Sequence, residues 1–327
     1  MKMSKKINQI KLNWLIQRKK ALNLKIDYYK LQDKVDRVTS LKLKLDHINK
    51  SIEKIVQLQD NQNSYSIDEG VILDIQNLTM KFGGLTAVDD LSFKVKKGEI
   101  FGLIGPNGAG KTTIFNCITQ FYKTPHGRTF FVNNENELVN LSEIAVHNVI
   151  KEGVVRTFQN IELIWELSIL ENLLIAGHTL YTSNFFDHLF RTPKYRREDK
   201  VIRAKAMHIL KELNLEAYTH VYPLGLPYGI LKLVELARTL MTNPSLIILD
   251  EPAAGLNEQE TEKLAQTIKK IQQDFKATIF LVEHDMGFVM NLCNTICAIS
   301  FGKMLAIGTP EEIKKHPKVQ EAYLGGE

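Results

Sequence analysis

The stretch Gly105-Pro106-Asn107-Gly108-Ala109-Gly110-Lys111-Thr112-Thr113 constrains this chain more than any other feature. A glycine, four free positions and then Gly-Lys-Thr is the pattern of a loop that wraps a phosphate chain between a buried strand and the helix after it. A triphosphate carries several negative charges, so its site wants converging N–H donors, a cation, a metal and the positive end of a helix dipole. Gly105, Gly108 and Gly110 let the backbone take positive φ and turn its amides inward. Lys111 can reach the β- and γ-phosphates, and the Thr112 hydroxyl can hold Mg²⁺. The flanks agree: Glu99-Ile100-Phe101-Gly102-Leu103-Ile104 reads as a buried strand and Thr113-Ile114-Phe115-Asn116-Cys117-Ile118 as the helix.

The second half of such a site lies far downstream. Leu246-Ile247-Ile248-Leu249 is a continuous apolar run ending in Asp250-Glu251, the pattern of a central parallel strand that delivers two carboxylates to its C-terminal edge. Asp250 would bind the magnesium ion, directly or through water, and Glu251 would act as general base on the attacking water. Thr278-Ile279-Phe280-Leu281-Val282 is a further buried strand, followed by Glu283-His284-Asp285. A lone histidine after a strand is more often structural than chemical.

With both motifs in place, the order of the remaining segments resembles the ATPase subunit of an ABC (ATP-binding cassette) transporter over about residues 70–327. The resemblance implies ATP and Mg²⁺ as ligands and assigns further roles by position. Phe82, in Met80-Lys81-Phe82-Gly83-Gly84, matches the aromatic that stacks on adenine. Gln159, in Val155-Arg156-Thr157-Phe158-Gln159-Asn160, matches the glutamine that touches Mg²⁺. His284 matches the histidine that contacts the γ-phosphate, and Ala254-Gly255-Leu256-Asn257 sits where the family crosses its dimer interface. The chain departs from the family at its signature, Leu-Ser-Gly-Gly-Gln, which reads Leu226-Pro227-Tyr228-Gly229-Ile230 here. Pro227 has neither a hydroxyl nor an N–H, and Ile230 cannot hydrogen-bond through its side chain, so a weakened contact to the partner's nucleotide is expected. Gly229 and the positive N-terminus of the following helix remain.

The Tyr-Gly form of the signature resembles the ATPase subunits of branched-chain amino-acid and urea or amide importers. Phe115-Asn116-Cys117-Ile118-Thr119-Gln120-Phe121-Tyr122, Leu189-Phe190-Arg191-Thr192-Pro193, Glu283-His284-Asp285-Met286 and Glu321-Ala322-Tyr323-Leu324-Gly325 agree. The partners implied are integral-membrane permease subunits and a second ATPase subunit, either another copy or a different chain. The place implied is the cytoplasmic face of the plasma membrane.

The fold expected is α/β: a parallel core sheet holding the phosphate loop, Asp250 and His284, a small antiparallel sheet carrying Phe82, and a helical subdomain over about 160–240. Residues 61–69 read as a linker, and 1–60 as a basic helical extension for which the family pattern has no equivalent. No Gly or Pro occurs before Gly70, which favours continuous helix. Two heptad series follow, one through Ile7, Trp14, Ala21, Tyr28, Val35, Lys42, Asn49 and Val56, the other through Ile10, Gln17, Leu24, Leu31, Val38, Leu45 and Ile52. Twelve of the fifteen positions are apolar, enough to predict a coiled coil over 5–58, about 80 Å long at 1.5 Å per residue. Pairing with its own copy or a partner, a lone basic helix, and attachment to anionic lipid all stay open.

Residues 1–70 hold 15 Lys and Arg against 8 Asp and Glu, a balance of +7 in a chain whose total is +5, so the basicity belongs to the extension. Few aromatics and no base-reading module argue against nucleic acid. No apolar run approaches the ~18–20 residues that span a bilayer, and no secretory signal is visible. Cys117, Cys293 and Cys297 sit in apolar runs and read as core residues, not a disulfide framework or a metal pair. The alternative to transport is a soluble ABC ATPase with a coiled-coil scaffold. A single phosphate loop speaks against the two-cassette translation type, and a coiled coil placed before that loop speaks against the chromosome type.

Overall fold

The structure, a computed structural model, describes residues 2–30, 34–57, 66–157 and 160–324. In chain order, α1 (Lys2–Lys30) and α2 (Val35–Gln57) precede β1 (Val71–Phe82), β2 (Leu85–Lys96), β3 (Ile100–Ile104), α3 (Lys111–Ile118), β4 (His126–Val132), β5 (Leu138–Asn140), α4 (Val146–Val149) and β6 (Val154–Arg156). A helical stretch follows, α5 (Ile169–Ala176), α6 (Phe185–Leu189) and α7 (Pro193–Glu212). The remainder runs α8 (Tyr228–Leu240), β7 (Leu246–Asp250), α9 (Glu258–Asp274), β8 (Thr278–Val282), α10 (Met286–Leu292), β9 (Thr295–Ser300), β10 (Lys303–Gly308), α11 (Pro310–Lys315) and α12 (Pro317–Leu324). These elements gather into two compact units, Ser66–Glu166 with Tyr222–Glu327, and Met1–Tyr65 with Leu167–Val221.

The first unit is built on two sheets. One is antiparallel, in the order β2-β1-β4-β5, and its strands carry the alternation of a half-buried surface: Leu91, Phe93 and Val95 are buried while Ser92, Lys94 and Lys96 are exposed. The other has the order β10-β9-β3-β8-β7-β6, parallel from β9 to β6 with β10 antiparallel at one edge. Strands β3, β7 and β8 are buried at every position, which is why they read as unbroken apolar runs. The ring of Phe280 on β8 meets Phe101 at 5.1 Å and Phe115 of α3 at 4.9 Å, both edge to face, and this packing fixes α3 on the sheet. Cys293 and Cys297 are buried, and burial pushes both thiols up to about 12, so they pack as small apolar side chains.

The second unit corrects the expected 80 Å helix. α1 ends at Lys30 and α2 begins at Val35, with the Lys34 amide bonded back to the Tyr29 carbonyl at 3.1 Å. Leu15 of α1 packs with Ile48 and Ile52 of α2, so the two helices run antiparallel. The physical reason is that an apolar stripe needs a partner, and a short connection lets the chain supply one from its own sequence. α1 also packs on α7. From Trp14 onward its buried positions are Leu15, Lys19 and Ile26, the first one residue and the other two two residues off the predicted seam, and Trp14 is left 56% exposed. In α2 the predicted Val38 and Ile52 are buried, while Lys42 is exposed.

Lys205 on α7 lies near Asp27 of α1, and burial pushes its ammonium down to about 7, with Asp27 opposing that in part. Between about 7 and the ordinary value of 10.5 the folded unit therefore holds fewer protons than the unfolded chain, so its stability rises as pH rises through that window. One proton limits the slope to about 1.4 kcal/mol per pH unit. Thermal melts of the whole chain between these limits are expected to show the rise, and Lys205→Met to flatten it.

Candidate functional site

Strand β3 runs straight into the phosphate loop. Gly108 (φ 79°) and Gly110 (φ 101°) take the left-handed conformation that turns the loop's amides toward its centre, and α3 starts at Lys111 with no side chain capping its first turn. At Gly105 a Cβ would lie 2.5 Å from the Ile299 carbonyl oxygen and 3.0 Å from the Ala109 methyl, so only glycine fits. The turn between β9 and β10 braces the loop through Gly302, whose amide donates to the Ala109 carbonyl at 3.0 Å. Pro106 is half-buried, Asn107 and Thr112 are exposed and Thr113 is half-buried. Lys111 donates to the carbonyls of Gly105 (2.6 Å) and Pro106 (3.0 Å), which holds its ammonium over the loop. Burial lowers its pKa, and the charges of Glu251 and Asp250 pull it back up.

That electrostatic coupling is a consequence of strand order. Val282 on β8 pairs with Leu103 of β3 on one side and Asp250 of β7 on the other. Asp250 thus lies two strands from the loop-bearing strand, roughly 10 Å at the usual inter-strand spacing. The buried Asp250 carboxylate is paired with Arg156 at 2.5 Å, and the same guanidinium donates to Asn116 of α3 at 2.6 Å and stands 5.7 Å from the centre of the Phe115 ring. Glu251 is left-handed (φ 48°), rare for a residue with a side chain, while its amide continues the ladder to the Val282 carbonyl at 2.9 Å. Such a conformation costs about 1–3 kcal/mol and is held by its surroundings.

His284 follows β8 with an exposed ring. Glu283 before it is buried, accepting from the Ala253 amide (2.7 Å) and the His284 amide (3.2 Å). Burial raises its pKa; those two hydrogen bonds and the His284 charge oppose the rise, and the Glu251 charge adds to it. Phe82 ends β1 at 42% exposure, with Tyr122 against it edge to face at 5.2 Å. Gln159 lies outside the described residues, but Thr157, two positions before it, is held to the Ile248 carbonyl at 2.9 Å.

The altered signature sits at the start of α8, where Pro227 is the residue before the helix and its carbonyl accepts from Ile230 (3.0 Å) and Leu231 (3.2 Å). Leu226, Gly229 and Ile230 are half-buried and Pro227 and Tyr228 exposed. Tyr228 packs on Gly255 so closely that a Cβ there would lie 3.3 Å from its ring, and Gly229 approaches Glu260. The signature is therefore attached to the same turn, 250–260, that carries the carboxylates.

One sheet edge brings together the loop, Asp250, Glu251 and His284, the groups to which the sequence pointed. The sequence did not point to Arg156, Asn116, Glu283 or Tyr122. Only the apolar neighbours of Arg156 hinted that it sits in a strand. Thr112 and Asp250 each offer a hard oxygen, the donor type that suits Mg²⁺, with one Asp250 oxygen taken up by Arg156. Among the described residues no group of three or more His, Cys, Asp and Glu could hold a metal by itself, and these two fit an ion shared with phosphate oxygens.

Residues 88–254 match the family described as ABC transporter, and residues 303–327 match the one described as branched-chain amino acid ATP-binding cassette transporter. The chain is 43% identical over 254 residues to the high-affinity branched-chain amino acid transport ATP-binding protein BraF of Pseudomonas aeruginosa, covering 78% of this chain and 98% of that protein. It is 40% identical over 254 residues to the LivG protein of Escherichia coli, with the same coverage of each. A crystal structure of an ATP-binding cassette of an ABC transporter in its ADP conformation superposes with a TM-score of 0.66 at 32% identity, covering 78% of this chain and 99% of that one. A nucleotide-free cassette gives 0.65 at 33%, covering 77% and 98%.

Proposed function

We propose that this chain, which belongs to the ABC transporter family, is the ATP-hydrolysing subunit that powers an importer for branched-chain amino acids or related small polar solutes. The observation that carries this reading is the meeting of Lys111 with Asp250 and Glu251 across three adjacent strands, which joins an anion cradle to a base on one sheet edge. The loop amides from Gly105 to Thr113 and the Lys111 ammonium bind the β- and γ-phosphates, and Phe82 stacks on the adenine. Thr112, Asp250 and Gln159 would hold Mg²⁺, which would supply charge neutralisation at the phosphate oxygens. Glu251 takes a proton from the attacking water, and His284 contacts the γ-phosphate.

A second cassette subunit completes each site in this reading by bringing its signature to the nucleotide. Pro227 removes one donor from that contact, while Tyr228, Gly229 and the start of α8 remain, so a partner with an intact signature would make one site stronger than the other. The permease subunits take up the motion at the cytoplasmic face. The homology of the chain to BraF and LivG supports this reading over a scaffold protein, and the antiparallel partner that α1 finds in α2 leaves that scaffold less reason to exist.

The test is isolation of the chain with its partners from native membranes, then reconstitution in vesicles. Multispanning subunits and a second cassette should co-purify, and uptake of a branched-chain amino acid should require ATP. Recovery with ribosomes or DNA, or a complex that hydrolyses ATP without moving any such solute, would overturn the proposal.

A further inference from the structure

We propose that the turn around α6 is a membrane-surface contact that inserts Phe185, Phe186, Leu189 and Phe190 among the headgroups of an anionic bilayer. These four side chains are 74%, 66%, 60% and 72% exposed, although all are strongly apolar. Three phenylalanines and a leucine in that state leave roughly 400 Å² of apolar surface in water, the size at which a patch on a soluble domain marks an interaction site.

The exposure is built and not a result of a loose chain. The Asn184 side chain accepts from the Asp187 amide at 2.9 Å, and the Asn184 amide donates back to the Asp187 carboxylate at 3.1 Å. The Thr192 hydroxyl, which caps α7, donates to the other Asp187 oxygen at 2.8 Å. The rings of Tyr181, His188 and Tyr195 pack together at 4.6–5.8 Å, and Ser183 bonds His188 at 2.9 Å. Asn184, Asp187 and Thr192 thus fix the turn, and the large apolar side chains are what it presents.

Charge selects the occupant. Arg191, Arg196, Arg197 and Lys200 flank the turn and are exposed, while the exposed Lys194 is turned back onto the Asp187 carboxylate at 3.8 Å and the Thr182 carbonyl at 2.7 Å. The nearby carboxylates are engaged inside the unit: Glu198 by Thr182 and Ser183, Asp199 by Tyr181 and Arg203, and Asp187 by the turn itself. A protruding apolar knuckle in a basic rim matches the interfacial mode, with aromatic and leucine side chains at the acyl boundary and Arg or Lys at the phosphates. Such a contact needs no spanning segment, and no described helix is long and apolar enough to cross a membrane.

This inference does not depend on the transport reading and can be tested without a permease. The full chain is sedimented with vesicles of phosphatidylcholine alone and of phosphatidylcholine mixed with phosphatidylglycerol. Binding to the anionic vesicles is expected, weakening at high salt. The variant F185S/F186S/L189S/F190S is expected to bind about tenfold less. R191E/R196E/R197E should lose the preference for anionic vesicles, and circular dichroism should show both variants folded. ATP hydrolysis in the same samples reports on the phosphate-loop unit separately and should be unchanged. No binding to anionic vesicles, or equal binding by wild type and the serine variant, would overturn the proposal. So would loss confined to binding of a detergent-purified permease, which would make the patch a protein-docking surface.

Discussion

Replacing Glu251 by glutamine is expected to leave ATP bound while hydrolysis falls by at least about two orders of magnitude, the usual worth of a positioned general base. Glutamine keeps the length and planarity of the side chain and can still hydrogen-bond, but it offers no basic oxygen to a water molecule. The structure makes the substitution a clean one. The side chain leaves a backbone held at φ 48° and bonded to Val282 at 2.9 Å, so the amide should start from the same point as the carboxylate. Loss of the Glu251 charge also removes one of the influences that raise the pKa of the buried Glu283, which should fall in the variant. Nucleotide binding and single-turnover hydrolysis, measured on the same protein, separate the two steps. Unchanged turnover would refute the role given to this residue.

The second large effect belongs to a residue with no assigned part in the chemistry. Arg156→Ala is expected to destabilise the protein by about 3–5 kcal/mol, the cost of leaving one member of a buried ion pair alone. Asp250 and Arg156 have side chains only 9% and 7% exposed, and the guanidinium also ties Asn116 of α3 and lies near the Phe115 ring. Arg156→Lys should lose less, because it keeps the charge but not the planar fork that reaches two partners at once. The double variant Arg156→Ala/Asp250→Asn should recover part of the loss, since no bare charge is then buried. Denaturant unfolding of the four proteins measures each value, and a loss under about 1 kcal/mol for Arg156→Ala would mean that the pair is solvated.

The motifs whose chemistry is contiguous were legible in the sequence. The phosphate loop declares itself because one short segment must supply the glycines, the cation and the hydroxyl together. The apolar runs at residues 100–104, 246–249 and 279–282 declared buried strands because parallel strands covered on both faces are mostly apolar along their length. Arg156 and Glu283 were hidden for the opposite reason. The partners of Arg156 stand 40 and 94 residues away, and Glu283 reaches back 30 residues to Ala253, so no local pattern marks either pair.

The N-terminal segment draws the line between the two kinds of information. Its sequence pointed to the helix found over Lys2–Lys30 and Val35–Gln57, because no Gly or Pro interrupts the segment and the apolar side chains recur at a helical period. Tertiary packing decided that there are two helices, that they lie antiparallel, and that Leu15 and not Trp14 faces inward. A periodic stripe specifies that a face must be buried, but its width tolerates a shift of one residue, and its partner is chosen by whichever apolar surface the chain can bring to it. The same holds at the site: spacing marked the loop from Gly105 to Thr113, and the order of the strands alone brought Asp250 and Glu251 to Lys111.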